Sequence, residues 1–288
     1  MLTLLLASVL TCAEPPPLFA QDNLVAWCVV PFDARQRGPA DRVAMLKELK
    51  LTRYAYDWRD KHLPTFEEEV QLLRPAGITL HAVWFPTTLN RDAQHILKIL
   101  KKHDLHPELW VSLDEPPGAT TADKVTAAVK VLQPLQQAAQ THGCLLCLYN
   151  HGGWMGEPAH QLAILQQLAP ARIGLIYNLH HAHSQLNQLD AVWHQLLPHL
   201  QCVTLNGMDI DGDKHGRKIL PLGVGTQDVT VLKQLQASGY KGRVAILGHM
   251  HEYDVADRLR DNLDGLRWLV PQLDGKPATE RPAYRTYR

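Results

Sequence analysis

The sequence predicts an α/β fold, a single closed (β/α)8 barrel, on three observations. A short apolar run, a polar turn and an amphipathic helix recur eight times in succession, over the ~250 residues that such a barrel occupies. Most of the runs are apolar on both alternating sides, as strands are when helices cover a parallel sheet. No Gly-x-Gly-x-x-Gly turn follows the first run, as an open dinucleotide-binding sheet would have.

The elements follow in order. Residues 24–30 form the first strand run, and a helix follows at about 40–49. The second run is 52–56. Its helix, near 65–75, opens with Thr65 and carries Glu68 three residues on, the spacing of a capping box. The third run, 78–85, leads to a helix at 91–103 whose apolar face is Ile96, Leu97, Ile99 and Leu100. The fourth, 107–113, precedes a long helix at 121–141. The fifth, 144–149, precedes a helix at 158–168, where Pro158 suits a first turn because its missing N–H costs nothing there. The sixth run is 173–177, with a helix at 185–197. The seventh is 202–205, followed by a long loop rich in glycine and charge and a helix at 228–237. The eighth, 244–247, has the last helix at 254–269. The barrel therefore spans 22–272, and the proline-bearing tail, 273–288, is expected along the surface.

The 29 Lys and Arg balance the 29 Asp and Glu. Nothing in that balance steers the chain to nucleic acid or anionic lipid. Residues 1–20 read as an export segment. Met1 to Ala13 is apolar but too short to span a bilayer, and the small residues Thr11 and Ala13 precede a possible cleavage point. An exported, periplasmic protein with no transmembrane domain is the expectation. Cys28, Cys144, Cys147 and Cys202 all fall in strand runs, which points to core packing and not to a disulfide framework.

A barrel of this kind carries its chemistry at the C-terminal ends of its strands. Those ends hold Asp57-Trp58-Arg59, His81 and Trp84, Asp114-Glu115, Asn150-His151-Gly152-Gly153-Trp154, Asn178-Leu179-His180-His181, Asn206-Gly207-Met208-Asp209 and Gly248-His249. Burying so many polar groups together is costly unless they pair or meet a ligand. Asp57, Trp58, His81, Trp84 and Trp154 are candidate substrate contacts, the tryptophans offering flat apolar faces. Lys214 and Lys218 are candidate partners for an anionic group.

Four segments resemble the xylose-isomerase-like TIM barrels, in the branch described as sugar phosphate isomerase/epimerase. They are Tyr149–Trp154, Tyr177–His183, Leu205–Asp209 and Leu247–His249. In the sugar epimerases of that family, strands 5 to 8 end in Glu, Asp, His and Glu around one divalent ion. The resemblance puts those roles on His151, Asn178, Asn206 and His249, with His181 completing an Asp-x-x-His pattern that begins here with Asn178. It implies one divalent cofactor (Mn, Zn, Co or Mg). Every carboxylate position is altered, which leaves the site less negative and a weaker holder of such an ion.

The expected activity is metal-assisted isomerisation or epimerisation of a sugar or sugar derivative by proton abstraction next to a carbonyl. His151, His249 and His181 are the candidate bases, with Asp114 and Glu115 as acids or supports. Elimination from an oxidised sugar would use the same groups. A non-catalytic carbohydrate-binding barrel is the alternative of another class, prompted by the absent carboxylates.

Overall fold

The computed structural model describes residues 17–287. Eight parallel strands close on one another in chain order: β1 (Leu24–Trp27), β2 (Arg53–Tyr56), β3 (Thr79–Trp84), β4 (Glu108–Val111), β5 (Leu145–Tyr149), β6 (Gly174–Asn178), β7 (Leu200–Leu205) and β8 (Arg243–Leu247). Helices α1 (Pro39–Glu48), α2 (Phe66–Leu73), α3 (Arg91–Lys102), α4 (Thr121–Thr141), α5 (Pro158–Leu168), α6 (Leu189–Leu196), α7 (Asp228–Ala237) and α8 (Val255–Leu273) follow their strands in turn. The fold is the (β/α)8 barrel that the sequence predicts. The export segment lies almost wholly outside the described residues. Among these, no helix is long and apolar enough to cross a membrane.

Two apolar clusters hold the architecture. The larger lies between strands and helices, from Leu24 and Ala26 round to Val244 and Ile246. The smaller fills the barrel and contains Val25, Ala55, Ala82, Trp110, Cys147, Ile176, Cys202 and Ala245. All four cysteines beyond the N-terminal segment are buried and unpaired. Above the small residues sits an aromatic plug. The Trp27 ring lies 4.7 Å from Trp110 and 5.8 Å from Tyr149, and Trp84 lies 5.3 Å from Tyr149. Stacked and edge-on aromatic pairs of this kind add to the burial of their large surfaces.

Several local expectations are corrected. The first strand ends at Trp27, short of residue 30, because Cys28 adopts φ +54° and turns the chain. Thr65 forms no capping box; its hydroxyl donates to the His62 carbonyl, and a 3-10 turn over Asp60–Thr65 leads into α2. A second 3-10 segment, His183–Gln188, replaces the first turns of the sixth helix. The last helix runs through Pro271 to Leu273.

The tail is stitched down more firmly than a surface strap would be. The buried carboxylate of Asp261 on α8 accepts from the Arg285 and Thr286 backbone N–H groups and from the Thr286 hydroxyl. The Tyr284 hydroxyl donates to the Leu222 carbonyl. Replacing the carboxylate would leave these donors buried without an acceptor, a large cost for each. Asp261→Ala is therefore expected to destabilise the fold by about 3 kcal/mol and to expose the chain after Arg281 to trypsin. Urea denaturation and limited proteolysis check both effects. A tail equally resistant in the variant would refute the anchoring role.

Candidate functional site

The C-terminal ends of the strands surround a cavity of about 90 Å³. Trp27, Trp84 and Tyr149 form its aromatic floor. Its walls are Cys28 and Phe32 after β1, Asp57 and Arg59 after β2, His151 after β5, His180 and His181 after β6, and His249 after β8. Local backbone geometry explains how several of these groups arrive. Gly152 and Gly153 have φ +83° and +57°, which side chains tolerate poorly, and their turn brings His151 over the mouth. Gly248 lies against the end of β1, where a Cβ would meet the Cys28 carbonyl oxygen at 2.7 Å. That close approach seats His249 against Phe32, with ring centroids 3.8 Å apart.

The imidazoles form a continuous chain. Centroid separations are 4.6 Å from His151 to His181, 3.7 Å from His181 to His180, and 5.5 Å from His180 to His249. His251 extends it, 6.0 Å from His249. Burial, then neighbouring imidazoles or the Lys218 ammonium, disfavour the charged forms of His151, His180, His181 and His249. His181 is pushed down to about 3 and His249 to about 4; His151 is lowered and His180 lies well below the usual imidazole value. Polar atoms without protein partners mark the cavity: Nε2 of His181, Nδ1 of His249 and Oδ2 of Asp57 are all buried and unbonded. Such atoms are rare in folded proteins and call for water or a ligand.

The predicted residues divide into three groups. Asp57, Trp84, His151, His181 and His249 line the cavity together. Lys218 is exposed and does not line the cavity, but its charge disfavours protonation of all four lining imidazoles. Its backbone is pinned, because the Lys218 carbonyl accepts from His183 Nε2 and Asn206 Nδ2.

Asn178 and Asn206 lie beneath the site as supports. Asn178 is spent on Tyr149, His180 and Thr204, and Asn206 Nδ2 serves the carbonyls of Gly207 and Lys218.

The remaining predicted contacts do not line the cavity. His81 is the extra residue of an irregularity in β3 and sits low in the barrel beside Glu108, 3.6 Å away, not at the mouth. Trp58 turns outward, its indole N–H donating to the Trp84 carbonyl. Trp154 stacks on His160 at 4.2 Å. Asp114 and Glu115 are exposed; the charge of Asp114 favours protonation of His151, and Glu115 pairs with Lys124. Lys214 pairs with Asp211 at the surface.

Sequence reasoning missed Cys28, Phe32, Tyr149 and Trp27, and gave no role to Arg59 and His180 although both stand at strand ends. The strand-end rule would have found the first two had the first strand run been ended at residue 27. Tyr149 lies two residues before His151, on the same side of a strand.

No family model matches the chain, and no curated protein matches it. Solved structures do. A 3-keto-D-glucoside 4-epimerase from E. coli superposes with a TM-score of 0.66 at 16% identity, over 84% of this chain and 98% of that one. A D-psicose 3-epimerase from Clostridium cellulolyticum H10 gives 0.60 at 12%, over 87% and 99%. A xylose isomerase domain-containing protein from Salmonella typhimurium LT2 gives 0.67 at 10%, over 87% and 98%. The (β/α)8 fold is shared with these structures. At such identities the likeness is one of architecture, and the chemistry must come from the side chains.

Those side chains do not fit the divalent ion that the sequence resemblance implies for xylose-isomerase-like barrels. Asn178 has no free amide oxygen, since Thr204 and the His180 backbone occupy it. Asn206 turns its amide nitrogen to two carbonyls and leaves Oδ1 buried and unpartnered, one neutral oxygen where an ion needs several donors. Among the described residues, no three His, Cys, Asp or Glu side chains converge as an ion requires.

The carboxylate of Asp57 gives a test of the cavity's electrostatics. Its Oδ1 accepts from the backbone of Val29 and Val30, yet burial pushes its pKa from 3.8 up to about 7. The folded state thus holds the proton to higher pH than the unfolded chain. Ionisation costs stability progressively between those two values, and the cost is complete above about 7. Asp57→Asn should match the parent at pH 4 and exceed it in stability at pH 8. Denaturation curves at both pH values check this; a constant difference would place the titration elsewhere.

Proposed function

We propose that this chain is an enzyme that moves a proton at the carbon beside a carbonyl of a sugar or sugar derivative, in an isomerase or epimerase reaction. The observation that carries the reading is the ring of neutral imidazoles with unpartnered buried nitrogens, set over an aromatic floor at the catalytic end of the barrel. A neutral imidazole accepts a proton; a flat aromatic face takes the C–H side of a sugar ring. The likeness to two sugar epimerases is consistent with this, and the name of one, a 3-keto-D-glucoside 4-epimerase, sets the inverted carbon beside a ketone.

The step balances within the chain's own groups. An imidazole takes the proton from the carbon, and the C–H electron pair moves into a new C=C bond as the carbonyl oxygen gains negative charge. Return of a proton to the opposite face inverts the centre; return to the neighbouring carbon moves the carbonyl. His151 and His181 stand after β5 and β6 and His249 after β8, so two banks of base flank the cavity. Asp57 Oδ2 is placed to hold a hydroxyl. The positive charges of Arg59 and Lys218 favour the oxyanion. A groove of about 540 Å³ beyond His251, lined by Lys61, His62 and Arg37 among others, leaves room for a second sugar unit.

The test is deuterium uptake from D2O into a panel of ketoses, aldoses and 3-keto-glucosides, followed by NMR. Uptake at the carbon next to the carbonyl is expected. The double variant His151→Ala/His249→Ala should lose about 10²- to 10⁴-fold in rate while keeping its circular dichroism spectrum. Full turnover by the folded variant would refute the base assignment. Saturable sugar binding without uptake in the parent would instead make the chain a non-catalytic binding barrel.

A further inference from the structure

His180 has no role in the reading above, yet its ring is buried and lines the cavity. Its hydrogen bonds fix where its proton sits. Asn178 Oδ1 faces the His180 backbone N–H at 3.3 Å, and a backbone N–H can only donate. The Thr204 hydroxyl donates to the same atom. That end of the amide is therefore oxygen, and the other end is the NH2 group. One of its hydrogens goes to the Tyr149 hydroxyl oxygen. The other faces His180 Nδ1 at 3.0 Å. His180 Nδ1 must then accept, so a neutral ring carries its hydrogen on Nε2. No protein group among the described residues bonds Nε2.

We infer that Asn178 locks His180 as the Nε2–H tautomer and that this N–H is the donor to the substrate's carbonyl oxygen. The assignment rests on the proposed proton-transfer chemistry. It also divides the labour among the imidazoles. His181, with Nε2 unpartnered, and His249, with Nδ1 unpartnered, are free to accept protons. Of the four imidazoles lining the cavity, His180 is the one whose tautomer a protein hydrogen bond dictates, and it is dictated as a donor. The oxyanion that forms when the carbon loses its proton is a stronger acceptor than the ketone, so this hydrogen bond tightens as the reaction proceeds. Asn178 is a positioning residue, acting only through His180.

Two measurements test it. Long-range 1H–15N correlation NMR on histidine-labelled protein, with His180→Gln to assign the signal, reads the tautomer directly. The expected result is Nε2–H in the parent and Nδ1–H in Asn178→Asp, whose carboxylate can only accept. In the deuterium-uptake assay, Asn178→Asp and His180→Leu should lower kcat about 10- to 100-fold, with a smaller change in KM. His180→Gln, which keeps an N–H near the Nε2 position, should recover part of the loss.

An Nδ1–H or doubly protonated His180 in the parent overturns the assignment, whatever the activity. Parent-like kcat in a folded His180→Leu overturns the donor role. If Asn178→Asp does not fold, the parent's tautomer and the Leu/Gln pair decide alone. An Nε2–H ring in a parent that exchanges no sugar proton refutes the enzyme reading and the donor role with it, and leaves only the Asn178 lock supported. The Nδ1–H ring with exchange intact does the reverse.

Discussion

A closed barrel has no edge and must fill its own interior, and here the filling is aromatic. Trp27, Trp84, Trp110 and Tyr149 cap the small residues below them and form the surface on which the cavity rests. The plug also carries polar atoms that water cannot reach. Trp27 Nε1 donates to the Tyr149 hydroxyl at 3.0 Å, and that hydroxyl also receives an amide hydrogen from Asn178. Satisfying buried groups in this way is obligatory. The network that does so ends on His180. The packing of the barrel centre and the orientation of a side chain at its mouth are thus one constraint. A change at Tyr149 would therefore reach the site twice, at the floor of the cavity and through Asn178.

The long β7–α7 loop shows the same economy. Buried Asp228 gathers it by accepting from the backbone of Met208, Gly223 and Gly225. His183 and Asn206 fasten the Lys218 carbonyl. A loop rich in glycine and charge would otherwise place its lysine loosely. Tied at these points, it fixes the backbone from which the Lys218 charge acts on the imidazoles. Asn206, a ligand position by resemblance, has become a fastener for that cation.

Much of the fold was legible because it depends on local pattern. All eight strands and their helices follow from periodicity, and the strand-end rule gathered seven of the residues lining the cavity, five of which were given a role. What was not legible depends on contacts far apart in sequence or on single dihedral angles. His81 reads as a strand-end residue until the irregularity in β3 drops it beside Glu108. Trp58 reads as a substrate platform until its indole finds the Trp84 carbonyl. Phe32 was hidden by the positive φ of Cys28, which ends β1 early. Asn178 was visible as a polar residue, but its work is set by Tyr149 and Thr204, 29 and 26 residues away.

The charge of the mouth argues for the kind of species it stabilises. A carboxylate-lined site needs a cation before it can favour an anionic intermediate. This cavity has one carboxyl, Asp57, and burial pushes that toward its neutral form. Against it stand Arg59, Lys218 and four imidazoles that resist a positive charge in the absence of a partner. Protonating one of those rings is costly while the cavity is otherwise neutral. The cost falls when the same proton transfer creates an oxyanion a few ångströms away, because the two new charges then form a pair in a medium of low dielectric. Depressed imidazoles are poor stores of a proton and good temporary carriers of one. That property suits a reaction in which the proton must be returned within the same catalytic cycle.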